Sequence, residues 1–150
     1  MTRVIGLGSP FGEDRAGWLV IDRLHGRVPE SVELIALDRP GAALVNWMRA
    51  CEHLVLIDAV LAPEKCGTYA LLAMDELVQP SAVSGHMLNL AETVALAQAL
   101  GQSPKKMDVY GINISNLEDI SKSVSDCATR LSRQLIQHLQ ISRKQSPPQQ

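Results

Sequence analysis

The residues of this 150-residue chain best placed to do chemistry are the adjacent carboxylates Glu13 and Asp14, a third carboxylate at Asp58 and the imidazole of His86. Glu13 and Asp14 lie in Gly6-Leu7-Gly8-Ser9-Pro10-Phe11-Gly12-Glu13-Asp14-Arg15-Ala16-Gly17, between the apolar run Val4-Ile5 and an amphipathic stretch beginning near Trp18. Strand, glycine-rich turn and helix in that order open a βαβ unit. Such turns often cradle phosphate on the free N–H groups of a helix start. Two carboxylates repel phosphate and suit a cation, so this turn reads as a metal site rather than a nucleotide site, despite a GxGxxxG spacing. Asp58 follows Leu54-Val55-Leu56-Ile57, where a charge needs a partner: either a loop that it caps or a ligand that it binds. His86, in Ser84-Gly85-His86-Met87-Leu88, is by itself compatible with a satisfied surface group. Together, carboxylates and an imidazole form a mixed oxygen and nitrogen set suited to zinc or a divalent transition metal, with water or substrate completing the shell.

The elements that must position these groups follow from hydrophobic periodicity. Strands are expected at Arg3–Leu7, Val32–Leu37, His53–Ala59, Gly67–Ala73 and Met107–Ile112, and helices at Arg15–His25, Ala42–Arg49, His86–Leu100 and Leu117–Ile141. The run His53–Ala59 is continuously aliphatic, as in a strand buried on both faces. Val60–Cys66 is too short for a crossover helix, so the fourth strand should run antiparallel to the third. Gly101 is a helix stop signal. Alternating strands and helices make an α/β fold, a three-layer α/β/α sandwich with a mixed, mainly parallel five-stranded sheet. In such sheets ligands collect outside the carboxyl ends of the parallel strands. Glu13/Asp14, Asp58 and His86 all fall at that edge.

The length suits a single domain, expected over residues 1–142, with 143–150 as a disordered tail lacking core-forming residues. Aromatic residues make up only 3% of the chain, so the core must be aliphatic. A net charge of −2 and a pI near 6.1 give no electrostatic case for nucleic acid or an anionic membrane. No signal peptide and no membrane span are expected. Cys51, Cys66 and Cys127 are scattered, with no CxxC pair, as in a reduced cytoplasmic protein. Neither a Ser-His-Asp nor a Cys-His signature is present, so covalent nucleophilic catalysis is disfavoured.

Gly8-Ser9 through Asp14-Arg15-Ala16-Gly17, then Leu56-Ile57-Asp58-Ala59-Val60, then Ser84-Gly85-His86 resemble the hydrogenase maturation proteases, and Arg39-Pro40-Gly41 resembles that family's glycine-containing loop after strand two. The resemblance spans about residues 3 to 140. It implies an endopeptidase that trims the C-terminal extension from the large-subunit precursor of nickel–iron hydrogenases after nickel insertion. It also implies sheet order 2-1-3-5-4 with strand four antiparallel. Residue by residue, it implies Asp14, Asp58 and His86 as metal-binding and catalytic groups, with Glu13 the alternative to Asp14 because the turn is one residue shorter than the family pattern. Ser9 stands where asparagine is usual, and Arg15 where glycine is common. Nickel is expected to arrive with the substrate, with another divalent metal in the free enzyme as the alternative. The expected partner is the large-subunit precursor, and the expected state is a cytoplasmic monomer bound to neither nucleic acid nor membrane. The competing readings are a non-catalytic hydrogenase-assembly factor and a small-ligand-binding α/β domain.

Overall fold

A computed structural model describes residues 1–8, 15–38, 42–73, 85–116 and 119–145, with the side chains of 42, 85–89 and 141–145 outside that description. The chain runs β1 (Thr2–Leu7), α1 (Ala16–Leu24), β2 (Val32–Leu37), α2 (Ala42–Met48), β3 (His53–Leu61), a 3-10 turn at Pro63–Lys65, β4 (Tyr69–Leu72), α3 (Gly85–Ala99), β5 (Lys106–Ile114) and α4 (Lys122–Gln145). The sheet order is β2-β1-β3-β5-β4. All neighbours are parallel except β4, which is antiparallel to β5. The α/β sandwich, its strand order and the antiparallel fourth strand are as expected.

Period-two alternation splits the core into two layers. On one face Val4, Val55, Ile57, Ala59, Ile112 and Ile114 pack against Val20 and Leu24 of α1 and Val124, Leu131 and Leu135 of α4. On the other, Ile5, Leu7, Leu54, Leu56, Val60 and Val109 meet Leu44 and Met48 of α2 and Leu90, Val94 and Ala97 of α3. Strands β1, β3 and β5 are thus covered on both sides, which is why β3 reads as a continuous aliphatic run over Leu54–Ile57.

Several boundaries differ from expectation, those of β3 and α4 most consequentially. β3 does not stop at Ala59, because its ladder with β5 continues from Ala59↔Ile112 to Leu61↔Ile114. Asp58 therefore lies inside β3 rather than at its end. α4 begins at Lys122 rather than Leu117, since Ser121 Oγ accepts the Val124 N–H at 3.3 Å and caps the first turn. It extends to Gln145, so residues 143–145, expected in the tail, are helical; 146–150 lie outside the described residues.

The seat of α1 depends on two glycines. A methyl group on Gly6 would lie 2.5 Å from Gly17 O, and one on Gly17 would lie 2.5 Å from Leu7 O and 2.6 Å from Ile57 O. The helix start therefore rests directly on the backbones of β1 and β3, and backbone cannot yield as a flexible side chain can. Helix propensity alone says Gly17→Ala should stabilise α1 by about 1 kcal/mol. The overpacking works against this by about 3 kcal/mol, at the upper end of its usual range. The expected outcome is net destabilisation of roughly 2 kcal/mol, read as a fall in melting temperature of about 4–8 °C. A rise would show that α1 does not need this contact.

Candidate active site

Strand order reverses between β1 and β3. The chain leaves β1 for α1 on one face, while α2, which feeds β3, lies on the other. Loops diverging in this way open a crevice at the carboxyl ends of those strands. The exit of β1 is pinned at the Leu37 carbonyl, which accepts the Gly8 N–H at 3.1 Å and the Trp18 indole N–H at 2.9 Å. One acceptor thus ties together the ends of β1 and β2 and the first turn of α1. Residues 9–14, with Glu13 and Asp14, lie outside the described residues, but both anchors of that segment are placed. Gly8 is buried beside β2, and Arg15 directly precedes the helix start that rests on Leu7 and Ile57. Arg39-Pro40-Gly41 also lies outside the described residues.

Asp58 occupies the centre of this edge. Gly6 pairs with Ile57, so Asp58 is level with Leu7, the last residue of β1, and on its other side it pairs with Gly111 of β5. It is 0% exposed, between Leu56 and Val60 on the α2/α3 face. Oδ1 accepts the Ala59 N–H at 2.8 Å, and Oδ2 is likewise buried. Part of the structural alternative is thus realised, since this carboxylate does receive a main-chain N–H. A carboxylate removed from water in this way has to be compensated by such contacts.

Gly111 is what allows close packing beside it. A Cβ there would meet Val60 Cγ2 at 2.9 Å and Leu72 Cδ1 at 3.1 Å, so its absence lets those side chains close over the sheet. A glycine in a strand interior is the signal that could have marked this position in the sequence.

His86 lies in the first turn of α3, and its side chain is outside the description. The helix axis can still be followed. Past its C-terminal end, Gly101, Gln102 and Lys105 share a cavity with Arg49, Cys51 and Glu52, at the amino end of β3. Leu90, Val94 and Ala97 are buried on the sheet, so the helix lies along it. At ~1.5 Å per residue, the 15 residues of α3 rise about 21 Å from that end. From His53 to Asp58, β3 rises about 17 Å. The start of α3 therefore reaches the carboxyl edge, over the face that carries Asp58.

Among the described residues, no group of three His, Cys, Asp or Glu side chains is arranged to hold a metal ion. Of the expected set, only Asp58 has a described side chain. The cysteines supply no alternative centre: Cys51 and Cys127 are buried, and burial pushes both thiols above their ordinary range. Sequence reasoning passed over the Thr68–Asn113 pair at the same edge. It ended the fifth strand at Ile112, whereas β5 runs on to Ile114, because asparagine ordinarily favours turns.

The chain is 27% identical over 121 residues to the hydrogenase 2 maturation protease of Escherichia coli strain K12, covering 77% of this chain and 74% of that protein. It is 27% identical over 122 residues to the hydrogenase expression/formation protein HupD of Bradyrhizobium diazoefficiens, covering 77% of this chain and 64% of the relative. Among solved structures, the hydrogenase maturating endopeptidase HybD from E. coli superposes with a TM-score of 0.81 at 23% identity, covering 94% of this chain and 93% of that one. The [NiFe] hydrogenase maturation protease HycI from Thermococcus kodakarensis KOD1 gives 0.74 at 22% identity, covering 93% and 92%. Among the described residues no helix is long and apolar enough to cross a membrane. Residues 19–140 match the HycI hydrogenase maturation protease family, a stretch that begins after the acidic turn and includes Asp58 and His86, and the chain belongs to that family.

Proposed function

We propose that this chain is the endopeptidase that removes the C-terminal extension of a nickel–iron hydrogenase large-subunit precursor after nickel insertion, with Asp14, Asp58 and His86 as its working groups. The observation that carries the reading is Asp58: a fully buried carboxylate, level with the end of β1, in a chain of this family. Asp14 directly precedes Arg15 in the sequence, and Arg15 opens the helix resting on the Leu7 and Ile57 carbonyls. His86 lies in the first turn of α3. Carboxylate and imidazole donors fit a divalent transition metal, and the nickel they meet belongs to the precursor, the substrate.

The residues of this chain have three tasks in hydrolysing a peptide bond. They hold the nickel-bearing end of the precursor by oxygen and nitrogen donors, keep bulk water off the crevice floor with Leu7, Leu56 and Val60, and accept a proton from the attacking water at a carboxylate oxygen. A divalent ion at these donors supplies polarisation of the scissile carbonyl or of that water. The reaction is set in the cytoplasm, with the enzyme as a monomer. The direct test is incubation with nickel-loaded precursor and mass spectrometry of the released C-terminal peptide. Binding without release would make the chain an assembly factor instead.

Asp58→Asn keeps the shape and an acceptor oxygen but removes the charge. It should lower cleavage by more than the ~10–100-fold typical of losing an outer partner of a metal ligand. Its melting temperature should equal or slightly exceed the parent's, because a buried charge has been relieved. A large fall in melting temperature with cleavage retained would assign Asp58 to the scaffold.

Asp14→Asn should abolish precursor cleavage while Glu13→Gln keeps most of it. The reverse result would move the ligand one residue back, as the shortened turn permits.

Alkylation separates thiol from carboxylate chemistry. In the native protein only Cys66, which is not buried, should take up a thiol reagent, giving one adduct against three after unfolding. Cleavage should survive, and its loss with the Cys66 adduct would reopen a thiol mechanism.

A further inference from the structure

On the α2/α3 face, β5 presents Val109, Gly111 and Asn113 by alternation. Gly111 pairs with Asp58, and Asn113 pairs with Val60, two residues nearer the carboxyl edge. Strand spacing and rise place the Asn113 and Asp58 Cα atoms on the order of 8 Å apart. At its outer side Asn113 is joined to the chain entering β4: its N–H donates to Thr68 O at 2.8 Å and its carbonyl accepts the Gly67 N–H at 3.0 Å. The backbone ladder is therefore closed without help from the side chain.

The side chain is nonetheless fixed. Asn113 Nδ2 donates to Thr68 Oγ1 at 2.9 Å, and Thr68 Oγ1 donates to the Lys65 carbonyl at 2.7 Å. A hydroxyl has one proton. With that proton committed to Lys65, Thr68 can only accept from Asn113, so the amide must turn its NH2 toward β4 and its Oδ1 away from it. Among the described residues Oδ1 accepts no hydrogen bond. A neutral pair this exposed adds little to stability. It does leave an oriented acceptor one strand across from Asp58, on the same face and at the same edge.

We infer that Asn113 binds the substrate: Oδ1 accepts a main-chain N–H of the precursor segment crossing Val60 beside the scissile bond, and Thr68 is the positioning residue that holds the amide. This rests on the peptidase reading of the Asp58 site. An extended peptide advances ~3.4 Å per residue, so the bonded N–H belongs to a residue about two or three places from the cleaved bond. The contact reads backbone, so it registers the chain rather than selecting a side chain.

The test is steady-state cleavage of nickel-loaded precursor by the full chain, with melting temperatures measured alongside. Asn113→Ala should raise KM about five- to tenfold, the worth of one neutral hydrogen bond, with kcat within about twofold and an unchanged melting temperature. Thr68→Val should raise KM in the same direction, while Thr68→Ser, which keeps the hydroxyl, should restore the parent value. Unchanged KM in Asn113→Ala, or a loss of kcat accompanied by a lower melting temperature, would overturn the inference. Equal behaviour of Thr68→Val and Thr68→Ser would remove Thr68 from it. A parent chain that cleaves nothing would sink the peptidase reading itself, whereas a cleaving parent with an indifferent Asn113→Ala sinks only this step.

Discussion

The contact between Gly6 and Gly17 is the constraint on which the rest of the structure depends. Neither residue has a side chain to hold the layers apart, so the start of α1 lies on the carbonyls of Leu7 and Ile57. That approach brings the start of α1 over the gap between β1 and β3. The Leu37 carbonyl then fastens the end of β1 through Gly8 and the helix through Trp18. The described residues on either side of 9–14 are thus fixed by backbone hydrogen bonding and close packing.

Asp58 is held by a different logic. Its strand does not end at the crevice, because pairing with β5 carries β3 three residues further, to Leu61. The carboxylate sits where β1 stops and β3 continues, a step in the sheet rather than an open rim. Val60 and Leu72 close over Gly111 on one side, and α3 descends over the same face from its His86 end. Such surroundings exclude water and strengthen any charge interaction formed within them.

Much of this was legible in the residues. Fully covered strands betray themselves by unbroken aliphatic runs, and Val32–Leu37 is found at its expected bounds. The orientation of β4 followed from a linker too short for a crossover helix. The edge at which Asp58 and the start of α3 meet followed from topology alone. What periodicity could not reveal is where pairing continues past polar residues: Asn113 looks like a strand end until Thr68 is seen to meet it, and Ser121 caps α4 four residues after the point at which the apolar pattern begins. Nor could it give the orientation of Asp58, since a buried carboxylate that accepts one N–H and a carboxylate that binds a metal follow the same Leu-Val-Leu-Ile run.

The strand order also has a consequence for how the chain comes to be made. β4 pairs with β5 alone, and β5 lies between it and β3 in space although it follows both in sequence. During synthesis at ~5–20 residues per second, β3 and β4 leave the ribosome before their mutual partner exists. The 3-10 turn at Pro63–Lys65 and the left-handed Gly67 hold them on a path that leaves a strand-wide slot. The sheet, and with it the wall beside Asp58, is completed only when residues 106–114 enter that slot. Competence to cut is therefore among the last properties the nascent chain acquires.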